Sequence, residues 1–390
     1  MKSSLFTLFL GAAPIACQGI KHPGLLHTED DFSRIKSLVD SKKEPFATGW
    51  QKLVNRADVN WEPRVTDVIC RGQTDWCTDN IANFFRDVHA AYTNAIYWKV
   101  TGDTAHANTA ARIIDAWSEK APPIQGSADR YLAAGIQGYQ LANAAEILRG
   151  YEGWNGLQRI SDYLASEFYG NNHRFLTEHN DAPINNYWAN WDLCNLASVY
   201  AIGVLSDNQT MMNEAIDYFK NGGGMGAIEN ALWFVHKEEN TGKPLAQCQE
   251  SGRDQGHTLM DMGLLGVVAQ QGYNQGEDLF AYLDNRILAG AEYTFKYNTD
   301  HDVPFEPYYN SRHGTHTVID PRQRGQERPV AELLHAHYTS VKGLDASWTA
   351  EYRDKVVDAA GGAERGGGDY GPNSGGYDQL GFGTILFRRD

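Results

Sequence analysis

Basic residues are in short supply. Lysine and arginine number 34 against 49 aspartates and glutamates, a formal net charge of −15, so a nucleic-acid partner, which demands a basic face, is not expected. Long apolar runs are missing too. The stretch Leu5-Phe6-Thr7-Leu8-Phe9-Leu10 is too short to span a bilayer, and no later segment reaches that length. With Lys2 before it and small residues after it up to Gly19, it predicts a cleaved leader over residues 1–19 and a secreted chain with no membrane partner. Residues 20–390 are expected to fold as one domain. No Gly-x-Ser-x-Gly, phosphate-binding loop or dinucleotide fingerprint occurs, so elbow-type hydrolase and nucleotide chemistry have no support.

Cysteine is scarce as well. One of the five, Cys17, falls in the leader, and Cys70, Cys77, Cys194 and Cys248 remain, with no Cys-x-x-Cys pair to suggest zinc. In an oxidising compartment these four allow three connectivities, of which Cys70–Cys77 with Cys194–Cys248 is the expected one.

Helical spacing is abundant. Apolar residues recur with it from residue 30 to about 297, as in Val88, Ala91, Tyr92, Ala95 and Ile96, then Ala110, Ile113, Ile114 and Trp117. Gly102 is placed to end the first of these helices and Asp103 or Thr104 to cap the next, which reads as an antiparallel pair. Further helices are predicted over 130–149, 156–168, 188–205, 209–219, 256–270 and 277–297, then near 329–341 and 350–360. Neither β-α alternation nor evenly spaced strands appear before residue 300. A serial array of helical hairpins closing on itself, an all-α (α/α) toroid, is the expected fold. The glycine-rich tail 361–383 leads to Thr384-Ile385-Leu386-Phe387, a short strand or an apolar anchor.

Several polar constellations stand out. In 249–257, Gln249 and Glu250 precede Arg253, Asp254 and His257; Arg253 and His257 are four apart and share a helix face, where they suit a carboxylate. In 185–191, Asn185 and Asn186 precede Tyr187, Trp188 and Trp191, and an amide can donate to a carboxyl group without adding charge. In 304–316, Tyr308 and Tyr309 stand near Arg312, His313 and His316, and positive charge would help a tyrosine move a proton. The arginines from Arg312 through Arg322, Arg324 and Arg328 could form a basic cleft in the acidic chain. Glu332, His335, His337 and Tyr338 look metal-like at first, but His-x-His on a helix points to two faces, so no metal is expected and support of the tyrosine loop is the better reading. Aromatics are plentiful, with 10 Trp, 20 Tyr and 15 Phe; most belong in a core, yet flat rings also suit sugar-binding clefts.

These blocks, with 87–117, Tyr131-Leu132-Ala133-Ala134-Gly135 and the region from Arg324 to Tyr338, resemble the alginate-lyase superfamily of α/α-toroid polysaccharide lyases, most of all polysaccharide lyases of family 38. The resemblance implies β-elimination on a 1,4-linked polyuronate such as alginate or glucuronan. It implies Asn186 as carboxylate neutraliser, His257 as base or carboxylate partner, and Tyr308 or Tyr309 as the acid. Arg312 joins the catalytic set, and Asn185, Trp188, Gln249, Arg253, Tyr309 and His313 are expected to bind substrate. The older pattern in that superfamily has His directly after its Asn pair, where this chain has Tyr187. No cofactor is implied, the partner is an anionic polysaccharide, and a monomer is expected. A toroidal glycoside hydrolase using Glu250 and Asp254, or a non-catalytic sugar binder, are the alternatives.

Overall fold

The structure, a computed structural model, describes residues 19–389, and the leader predicted over 1–19 lies outside the described residues but for Gly19. The chain is an all-α toroid of helical hairpins. The helices Ile81–Thr101 and Thr104–Lys120 form the antiparallel pair that the sequence predicts. Gly102 closes the first at φ 80°, and the Asp103 carboxylate accepts from Ala105 N at 3.0 Å to cap the second. Ala189–Leu205 and Gln209–Asn221 make a similar pair, as do Gln255–Asn274 and Tyr282–Asn298.

The inner helices run parallel. Arg149, just past Gly138–Leu148, donates to Leu205 O at the end of Ala189–Leu205, so these two finish together. Ala189–Leu205 and Gln255–Asn274 start together, tied by hydrogen bonds described below. Both are apolar nearly all round, as expected of helices enclosed on every side. Their first turns therefore lie side by side, and the partial positive charges of the two macrodipoles face one end of the toroid.

Three departures from the sequence reading have physical causes. The pair Leu232–Lys237 with Pro244–Cys248 is an antiparallel hairpin before residue 300, missed because two short strands make no repeating pattern. The segment after Gly383 is a helical turn, Gly383–Leu386, with Ile385 and Leu386 fully buried, so it is an anchor and not a strand. Cys70 and Cys77 are bridged, but Cys194 and Cys248 are not. Cys194 Sγ turns to Trp191 O at 3.2 Å and packs on Gly135, where a Cβ would sit 2.4 Å from the sulfur. Cys248 Sγ donates instead to Asp261 Oδ2 at 3.1 Å. The two thiols face different helices, and burial pushes both pKa values up.

Candidate active site

A hollow of about 440 Å³ opens where the two inner helices begin. Its helix-borne wall is built by an exchange of caps. Trp188 precedes Ala189–Leu205 and has no side-chain oxygen to offer that helix. The missing acceptors come from the neighbouring segment: Gln249 Oε1 takes Ala189 N at 3.1 Å, and Glu250 Oε1 takes Asn190 N at 2.8 Å. Asp254 caps its own helix through His257 N at 2.9 Å. Gln249, expected to bind substrate, is buried and spent on this capping, so it does not line the hollow.

Arg253 is held from three sides. Its Nη1 donates to Glu250 Oε2 at 2.7 Å, its guanidinium lies 5.2 Å from the Trp188 ring, and its Nη2 is 3.0 Å from His257 Nε2. A guanidinium only donates, so His257 Nε2 is the acceptor and His257 Nδ1 carries the proton toward Asp254, 2.8 Å away. The lone pair that a base would use is thus already engaged, and His257 does not line the hollow. Burial works to raise the Asp254 carboxyl, but the His257 bonds and the Arg253 charge outweigh it and hold the pKa at about 2.

The opposite wall is the hairpin of Tyr308–Asn310 and Gly314–His316. Alternation along the first strand sends its two tyrosines to opposite faces. Tyr309 is 60 % exposed, outside the hollow. Tyr308 turns inward, its ring stacked on His316 at 5.0 Å and its hydroxyl oxygen accepting from Gly252 N at 3.2 Å. Desolvation, with Cys248 and nearby carboxylates, pushes its pKa up rather than down. Neither tyrosine lines the hollow, so the acid role expected of Tyr308 is not supported. His316 Nδ1 donates to Gly252 O at 2.8 Å, and only glycine fits at 252, because a Cβ would approach His316 Cβ to 2.8 Å.

One buried residue hangs this hairpin on the asparagine pair. Asn310 Nδ2 donates to Asn185 O at 2.9 Å, while its Oδ1 accepts from Arg312 N and His313 N, both at 2.9 Å. Asn185 contributes its carbonyl here and does not line the hollow; Asn186 does. The Asn186 amide makes no hydrogen bond, and Arg312 no ion pair, among the described residues. His313 stacks on Trp188 at 5.1 Å, and its pKa is lowered by burial and then by Arg312, Arg253 and His316.

Tyr187, Trp191 and Arg322 also line the hollow, the first two from the asparagine block and Arg322 from the arginine stretch that the sequence offered as a basic cleft. Arg324 and Arg328 do not join it. Arg324 donates to Tyr297 O and Arg328 pairs with the buried Asp378. The cluster near 332–338 disperses in the same way: Glu332 pairs with Arg388, His335 meets Arg353, and Tyr338 donates to Phe280 O, so it does not support the hairpin. The arrangement can therefore hold an anion between an uncommitted amide and several guanidinium groups. The one carboxylate lining it, Asp254, is already bound to His257.

No curated protein matches the sequence. Among solved structures, alginate lyase A1-III from Sphingomonas species A1 is 14 % identical, with 97 % of this chain and 100 % of that one covered and a TM-score of 0.58. A variant of alginate lyase A1-III complexed with tetrasaccharide is 13 % identical over 97 % and 99 %, with a TM-score of 0.57. An alginate lyase from Bacteroides ovatus is 11 % identical over 85 % and 95 %, with a TM-score of 0.59. At these identities the likeness is one of fold. The sequence itself matches the family described as Alginate lyase over residues 71–303, well over half of its length, and the chain belongs to that family.

Proposed function

We propose that this member of the family is a lyase that cleaves a 1,4-linked polyuronate, polymannuronate-type alginate or glucuronan, by β-elimination. Family membership supports polysaccharide lyase chemistry at the coarser level. The observation that carries the finer reading is the charge pattern of the hollow. In a chain of net charge −15, Asn186, Arg253, Arg312 and Arg322 surround a space with a single carboxylate, Asp254, which is hydrogen-bonded to His257; Arg253 and Arg322 are paired with Glu250 and Asp320, and Arg312 has no ion pair among the described residues. A uronate carboxylate fits there, and a related lyase holds a tetrasaccharide.

In this reading Asn186 and Arg312 hold the carboxylate, with Arg253 fixed beside it. Neutralising that group acidifies the hydrogen on the adjacent ring carbon, C5, and stabilises the enolate-like state that forms when it leaves. Trp188 and His313 give the sugar a ring surface. The step consumes no cofactor. We also propose secretion through the leader; no helix of the described residues is long and apolar enough to cross a membrane.

The hydrolase alternative needs an acid and a second carboxylate facing one bond. Glu250 is fully buried between Asn190 N and Arg253, and Asp254 is held ionised, so neither is placed to protonate a glycosidic oxygen. The test is a panel of polymannuronate, polyguluronate, glucuronan and hyaluronan followed by ultraviolet absorbance. Unsaturated product from one of them is expected; shortened chains without absorbance would mean hydrolysis, and no shortening would mean binding alone.

A further inference from the structure

We infer that Tyr187 moves the proton in this cleft and that Asn180 is the positioning residue that aims its hydroxyl, an assignment that rests on the lyase reading above. Tyr187 lines the hollow directly after Asn186. Its ring is fixed against Trp191 at 4.7 Å and Phe175 at 5.1 Å. Its oxygen accepts from Asn180 Nδ2 at 2.9 Å.

The orientation of that amide follows from its other neighbour. Arg130 Nη2 lies 3.4 Å from Asn180 Oδ1, and since a guanidinium has only donors, the amide must face it with oxygen and face Tyr187 with nitrogen. The Tyr187 proton finds no acceptor among the described residues, so it is directed away from Asn180. The backbone that carries the amide is unusual. His179, Asn180 and Asp181 have φ of 46°, 52° and 60°, three successive residues in the left-handed region without a glycine. Such conformations cost about 1–3 kcal/mol each and persist where the surroundings enforce them. Here His179 is buried, with its Nε2 2.9 Å from the Tyr218 hydroxyl, and this pins the turn.

The step balances within the substrate and one side chain. Tyr187 as phenolate takes the C5 hydrogen as a proton. The electron pair of that bond becomes the C4–C5 double bond, the C4–O4 bond breaks, and the phenol gives the same proton to the departing O4. The enzyme ends as it began. A single tyrosine requires the C5 hydrogen and O4 on one face of the ring, as in mannuronate and glucuronate but not in guluronate. The Asn180 amide fixes the position of the Tyr187 oxygen, and Arg130 fixes the amide.

Two variants test this. Tyr187→Phe keeps the packed ring and is expected to lower kcat by about 10²–10⁴-fold, with polymer affinity by calorimetry within a few-fold of wild type. Asn180→Gly suits the left-handed backbone but removes the amide. Its kcat is expected to fall by about 10-fold or more while KM and the thermal transition stay close to wild type, a split that loss of packing alone would not produce. If wild type yields no unsaturated product from any polymer in the panel, the lyase reading falls and this assignment with it. If wild type is active and Tyr187→Phe keeps more than a tenth of the rate, Tyr187 is not the proton carrier and the lyase reading stands; if polyguluronate is the preferred polymer, Tyr187 is not the carrier, the polymannuronate-or-glucuronan reading falls with it, and lyase chemistry alone stands. An unchanged kcat in Asn180→Gly, or a KM that rises as much as kcat falls, overturns the role of Asn180.

Discussion

The two walls of the hollow are built by different physics. The helix-borne wall is braced from Glu250 through Asp254 to His257 by a chain of largely buried hydrogen bonds, beside which the Asn186 amide is left free among the described residues. The hairpin wall carries exposed side chains, Arg312 and His313, on a turn suspended from Asn310 and from Gly252. One wall is rigid because its polar groups have no other place to go; the other is free to adjust because water can replace what it loses. In the proposed reading the carboxylate is therefore held between a fixed wall, with Asn186 and Arg253, and an adaptable one that brings Arg312.

The contrast can be broken at either wall. The largest effect is expected from Asn186→Ala, which removes one transition-state donor and should cut kcat by about 10²–10³-fold with the thermal transition unchanged; a variant above a tenth of the wild-type rate would remove Asn186 from the mechanism. Glu250→Ala comes next. It strips Arg253 and Asn190 N of their shared acceptor, and urea unfolding should show about 1.5–3 kcal/mol lost, since the bond is to a charged group. Asn310→Ala should cost less stability, about 0.5–1.5 kcal/mol, because the freed hairpin amides reach solvent. It should raise KM more than it lowers kcat, and equal changes in both would place Asn310 in the rigid wall. Tyr308→Phe is the smallest, less than about 1 kcal/mol and within a few-fold in rate; a dead Tyr308→Phe would return the proton to that residue.

Acid should also separate the walls. The folded Asp254 pKa of about 2 lies below its ordinary 3.8. A depressed carboxyl stabilises the fold above its unfolded pKa, and this contribution fades as pH drops from about 4 toward 2. Asp254→Asn should flatten the stability curve across that window, as read by circular dichroism.

The fold was largely legible because periodicity and caps are local properties. Gly102 and Asp103 act as their residue types predict, and the helices fall close to the expected ranges. The site was legible by segment and not by residue. Asn186, Arg253, Arg312 and His313 come together as their blocks suggested, whereas Gln249 and His257 prove to be braces for their neighbours. No local pattern says that Gln249 caps a helix 60 residues away in sequence. Tyr308 and Tyr309 could not be told apart for a related reason: strand alternation sends them to opposite faces, but which face meets the cleft depends on where Gly252 lies. Tyr187 carried one available signal, its position beside the asparagine pair where the older pattern has an imidazole. Cys194 and Cys248 misled because proximity to two site blocks says nothing of the direction in which a thiol points.

The suspended hairpin also defines a cassette for engineering. Its attachments are the Asn310 side chain, the Gly252–His316 contact, the Tyr308 hydroxyl and the backbone bond from Ser311 N to Asn185 O, none of which uses a side chain of residues 311–315. A library confined to that turn, with Arg312 kept, can therefore vary the charge and shape presented to successive sugars while the helix caps and the toroid remain as they are.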